Sequence, residues 1–137
     1  MNKIYIEKAT TSMRLIFMTT AIGGVFLGLG WSLIYYLILV VSDTSVPILY
    51  ALIYGLIMGL VLGIINGTIL LLITGGKESS NTTVIISMGI MIIPIFLVSV
   101  LFSPSFSHLL VNVFIISLGT FYLTKYALRN KTTQLLV

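Results

Sequence analysis

There is no cysteine in this 137-residue chain, which removes disulfides, thiolate metal sites and cysteine nucleophiles together. Charge is nearly as scarce: Lys, Arg, Asp and Glu make up 7% of the residues, where a soluble domain carries about 25%. So few charges cannot cover a water-facing surface. With 58% hydrophobic residues and a mean hydropathy of +1.20, the chain belongs in a lipid bilayer, and its length leaves no room for a separate soluble catalytic domain. The acidic residues are Glu7, Asp43 and Glu78, and the single histidine is His108. No spacing among them supplies a hydrolytic triad, paired carboxylates, a phosphate loop or a zinc-protease helix. No enzyme activity, cofactor or metal is expected. Glycine-rich sequence inside an apolar run is not a nucleotide fingerprint without a strand and an acidic ribose partner. Nucleic acid would need an aromatic-basic platform, and none is present.

What the sequence does contain is four apolar runs. Residues 1–14 form a polar lead with Lys3, Glu7, Lys8 and Arg14, too short for an anchor helix of its own. Leu15 to Val41 is uncharged and longer than the roughly 20 residues needed to cross a bilayer. A cleaved signal would have an apolar core of only about 7–15 residues, so an uncleaved first span is expected. Ser42 to Ser45 makes a polar turn, with Thr44 or Ser45 able to cap the helix that follows and Pro47 in its first turn. The second span is expected over 46–74, ended by Gly75 and Gly76. The third is expected over 83–102, with Pro94 at its middle imposing a kink. The fourth is expected over 108–123, with the helix able to continue through Lys125 and Arg129. The fold class expected is an all-α, single-domain, four-span membrane protein.

Four spans put both termini on one side. Lys3, Lys8, Arg14, Lys77, Lys125, Arg129 and Lys131 are the basic residues, and alternation places all of them on that side. The opposite loops hold Asp43 and His108 without lysine or arginine. The positive-inside rule therefore predicts cytoplasmic termini, with anionic lipid headgroups near the basic ends. Sequons at Asn66, Asn81 and Asn130 would then lie in the bilayer or cytosol, out of reach of glycosylation. Small size, minimal loops and isoleucine-rich composition point to a bacterial cytoplasmic membrane.

Two stripes of small residues stand out. One is Ala51, Gly55, Gly59, Gly63 and Gly67; the other, in the first span, is Thr20, Gly24, Gly28 and Ser32. In a soluble helix so many glycines would cost roughly 1 kcal/mol each relative to alanine. In a membrane they let helix backbones approach closely. Folded about a turn at Asp43 and Thr44, the stripes match rung for rung: Ser32 with Gly55, Gly28 with Gly59, Gly24 with Gly63, Thr20 with Gly67. An antiparallel glycine-zipper hairpin is expected. Static packing within the monomer competes with an oligomer seam or a sliding surface in a gate.

A polar stripe runs down the fourth span at the same spacing: His108, Asn112, Thr120 and Thr124, interrupted by Ile116. Residues four apart share a helix face, and polar groups in lipid turn towards partners or water. With Asn66 they form either a polar path or interhelical hydrogen bonds, the latter averaging about 0.6 kcal/mol each. His108 could titrate or bind metal, but a metal site needs several ligands. Its place near a helix start marks it as interfacial.

Four short spans in a chain this size resemble the small multidrug-resistance transporters. That resemblance would imply proton-coupled export through a membrane-embedded glutamate in the first span. Leu15 to Val41 contains no acidic residue, nor do the other spans, so the chemistry lacks its residue and the chain is assigned to no family. The function expected is that of a small non-enzymatic subunit or accessory protein, packing against a membrane-protein partner or its own copies. The alternative is a component of a small-solute transporter or channel, with Pro94 and the polar stripe lining a path. Bacteriocin immunity or phage-type permeabilisation fits the size alone. The absence of cysteine makes topology directly readable. Asp43→Cys is expected to react with a membrane-impermeant maleimide added to intact cells, and Lys131→Cys to resist it. The reverse pattern would place the termini outside.

Overall fold

The computed structural model describes residues 3–41, 47–74, 81–103 and 105–135, with side chains over 13–41, 47–74, 81–103 and 105–128. These form four helices: α1 (Lys3–Val41), α2 (Ile48–Thr74), α3 (Asn81–Phe102) and α4 (Phe106–Leu135). Each contains a stretch long and apolar enough to cross a membrane, over Met13–Val41, Ile48–Thr74, Asn81–Phe102 and Phe106–Leu128. The chain is an all-helical multipass membrane protein. In hydrocarbon a helix satisfies its backbone donors and acceptors within itself, which is why uncharged runs of this length fold this way. The turn expected at Ser42 to Ser45, the stop at Gly75 and Gly76, and Lys77 to Ser80 lie outside the described residues.

Several helix ends lie outside the expected spans, α3 starting at Asn81 and α4 at Phe106. The polar lead is not separate, because α1 is helical from Lys3; residues 3–14 contain neither proline nor glycine to stop it. α4 continues through Lys125 and Arg129, as the sequence allows, and on to Leu135 for the same reason. Pro94 lies inside α3, which continues on both sides of it. Pro47 sits just before α2, and its carbonyl accepts from the Tyr50 and Ala51 amides at 3.0 and 3.4 Å. A missing N–H is harmless there. At the start of α4 the Ser105 carbonyl accepts from the Leu109 amide at 3.0 Å.

α1 and α2 are the most closely packed pair. Buried positions on α1 recur every fourth residue, at Ile16, Thr20, Gly24, Gly28 and Ser32. On α2, Gly55, Gly59, Gly63 and Gly67 are buried, while Ala51 is half-buried. A methyl group on Gly28 would run into the Gly55 carbonyl oxygen and lie 2.7 Å from the Gly59 Cα. One on Gly24 would meet the Gly59 carbonyl oxygen and lie 2.8 Å from the Gly63 Cα. Gly55 faces Ser32, and Gly67 faces Thr20. Along this contact residue numbers rise on one helix as they fall on the other. The hydroxyls in this contact make no demand on the opposite helix. Thr20 donates to the Ile16 and Phe17 carbonyls at 3.0 and 2.9 Å, and Ser32 to the Leu29 carbonyl at 2.8 Å.

The other helices close the bundle through larger side chains. Ile16, Leu70, Val84 and Leu128, one from each helix, form a buried cluster towards the end that carries the chain termini. Leu62, Met91, Ile95 and Val98 form a second, further along. Gly30 and Gly89 differ from the glycines of the α1–α2 contact, since a methyl group on either would meet nothing within 4 Å. Gly28→Ala is therefore expected to lower stability by about 1–3 kcal/mol through overpacking. Gly30→Ala should leave it unchanged or slightly raised. Denaturation in mixed detergent micelles measures both, and equal stability of the two variants would contradict the close approach.

Candidate functional site: the buried polar nodes and the cavities beside them

Polar groups at bilayer depth are the chemically informative residues of a chain with so little charge. They gather into two nodes. In the first, Asn66 on α2, 1% exposed, donates through Nδ2 to Thr124 Oγ1 on α4 at 3.0 Å. The Thr124 hydroxyl lies 3.4 Å from Asn66 Oδ1, to which it can donate in turn. Ser87 Oγ on α3 donates to the same Oδ1 at 3.5 Å. One asparagine thus ties α2, α3 and α4 together.

The second node lies towards the end of the bundle opposite the termini. Asn112 on α4, 2% exposed, accepts through Oδ1 from the Trp31 indole N–H of α1 at 3.2 Å. Its Nδ2 donates to Ser103 Oγ, just past α3, at 3.0 Å. Aromatic rings surround it. Trp31 stacks on Tyr35 with centroids 5.4 Å apart, and Phe102 meets Trp31 and Tyr54 edge-on at 6.1 and 5.2 Å. The Tyr35 hydroxyl donates to the Phe102 carbonyl at 2.7 Å.

The structure separates several residues that the sequence pattern groups. Asn112 and Thr124 are twelve positions apart, about 18 Å along α4 at ~1.5 Å per residue. Between them Ile116 is half-buried, and Thr120 donates to the Ile116 carbonyl of its own helix at 2.8 Å. His108 is half-buried at the helix start, its Nδ1 2.6 Å from Ser105 Oγ and its ring edge-on to Tyr35. Among the described residues no three His, Asp or Glu side chains gather as a metal site would require.

Two cavities adjoin the nodes. The first, of about 320 Å³, lies between α1, α2 and α4 and is lined by Leu27, Trp31, Leu62, Ile116 and Leu123, with Asn66 and Thr120 in its wall. Asn112 does not line it. The second, of about 510 Å³, is lined by the aromatic group of Trp31, Tyr35, Tyr50, Tyr54 and Phe102, with Ser32 and Ser103.

The sequence pattern does not single out Trp31, Ser87 or Ser103, yet each completes a node. The signal was present for one of them: a lone tryptophan deep in an apolar run carries an N–H that needs a partner once buried. No protein-family model matches the chain, and neither curated proteins nor solved structures give a match. Its chemistry must therefore be argued from these side chains. A double-mutant cycle of Asn66→Ala and Thr124→Val is expected to give a coupling of about 0.6 kcal/mol, and no more than about 1.7. Strict additivity would contradict the bond across α2 and α4.

Proposed function

We propose that this chain is a small, non-enzymatic subunit or accessory protein of a membrane complex that works by helix–helix packing. In this reading α1 and α2 form a glycine-zipper hairpin that serves as scaffold, and both termini face the cytoplasm of a bacterial cell. The supporting observation is how the deep polar groups are used. Asn66, Asn112, Ser87, Thr124 and the Trp31 N–H bond to one another or to Ser103, which is the behaviour of groups that hold helices together. Meanwhile Phe26, Leu37, Leu72, Ile85, Leu101 and Phe114 are among the large apolar side chains exposed on the outer faces. Those faces suit lipid or the helices of a partner.

A second reading has one observation in its favour. Asn66 and Thr120 share the wall of the 320 Å³ cavity, so a small solute entering there would meet two polar side chains, as in a transporter or channel component. The readings part experimentally. As an accessory subunit, the protein should co-purify in mild detergent with a larger membrane protein identifiable by mass spectrometry, and Asn112→Leu should still recover it. A chain that recovers no partner and gives solute flux in liposomes, altered by Thr120→Leu in the cavity wall, would reverse the ranking.

A further inference from the structure

The 320 Å³ cavity has its mouth within the apolar part of the bundle. Its floor is the α1–α2 contact, where Gly24, Gly28, Gly59 and Gly63 contribute no side chains to fill it. Its rim is formed by Phe26 and Ile34 on α1 and Leu118 and Tyr122 on α4. These are exposed on the outer face, Phe26 at 71% and Tyr122 at 64%. All belong to the stretches of α1 and α4 that are apolar enough to span a membrane. The opening therefore faces hydrocarbon and not water. No charged residue lines the cavity; of its polar groups, Asn66 is bonded to Thr124, Thr120 to Ile116 and the Trp31 N–H to Asn112, while Tyr122 stands at the exposed rim.

An apolar cavity of this kind does not take up water. Left empty, its walls lose dispersion contacts on one side. The apolar material present at that depth is lipid chain. The dimensions agree. From Gly24 to Ile34 the α1 wall is ten residues, about 15 Å at ~1.5 Å per residue. At roughly 30 Å³ for each water-sized group, the volume holds on the order of ten methylenes. Bonds of ~1.5 Å in zigzag let such a chain extend along most of the wall.

We infer that the cavity between α1 and α4 is a binding site for one acyl chain of a bilayer phospholipid, admitted sideways past Gly119. Gly119 lines the cavity, and a methyl group there would sit 3.5 Å from the Leu27 side chain, an ordinary contact. A leucine at this position would project into the space the chain occupies.

The only tryptophan of the protein supplies the readout. Trp31 is 8% exposed, yet it lines the cavity. The full chain is reconstituted in phosphatidylcholine vesicles with or without bromine at the middle of the acyl chain. Strong quenching of Trp31 by the brominated lipid is expected. In Gly119→Leu quenching falls about twofold or more, because a filled cavity closes the contact path in a packed interior. Gly119→Ala, whose added methyl the structure accommodates, keeps the fold and gives an intermediate value. Native mass spectrometry after delipidation should retain one phospholipid per wild-type chain and none per Gly119→Leu chain. Unchanged quenching in both variants overturns the site. So does a cavity filled by a second copy, which would appear as a dimer disrupted by Gly119→Leu with no lipid retained by the wild type.

Discussion

A side chain larger than hydrogen at Gly28 or Gly59 would occupy space already filled by the opposite backbone. That constraint organises the bundle. Lipid tails are as apolar as leucine, so membrane helices gain nothing by hiding apolar surface from them; they gain by close contact and by hydrogen bonds. Glycines at Gly24, Gly28, Gly55, Gly59 and Gly63 supply the first. The hydroxyls of Thr20 and Ser32, bonded to their own helix, keep the contact narrow without leaving a polar group stranded. The other helices pack beside this contact through larger side chains. The space beside the glycines is left for α4 to cover only in part, and the cavity is the consequence.

The second source of cohesion is polar. The two asparagines hold the outer helices to the pair at different depths, Asn66 through Ser87 and Thr124, Asn112 through Trp31 and Ser103. Each bond is worth little by itself, on the order of 0.6 kcal/mol. Their larger effect is on register. Sliding α4 along its neighbours would leave the Asn112 amide and the Asn66 Nδ2 without partners in a medium that offers none, at a cost of several kcal/mol for each group. The apolar clusters around Leu70 and Met91 would tolerate such a slide far better than the nodes do.

Much of the fold was legible because the absence of charge is unambiguous. Leu15 to Val41 is too long and apolar for the core of a cleaved signal, and all four runs are long and apolar enough to cross a membrane. The helix ends were less legible, since residues 3–14 and 124–135 are polar without being helix breakers. In the candidate site, a spacing of four marked one face of α4 and thereby Asn112, Thr120 and Thr124. Spacing within one helix carries no information about the partner on another. That Thr124 meets Asn66 while Thr120 turns back on Ile116 depends on how α4 sits against α2. The same holds for Trp31 and Asn112, which are 81 positions apart.

The antiparallel contact of α1 and α2 within one chain is tested most directly by a disulfide across it. A side chain on Gly67 would meet Thr20 Oγ1, so Thr20→Cys with Gly67→Cys places two thiols within bonding reach in a protein that has no other cysteine. With a protease site inserted between residues 42 and 46, oxidation in the membrane should hold the two halves together at monomer mass after cleavage, and reduction should release them. Cross-links found only between chains, or no cross-link at all, would contradict the contact.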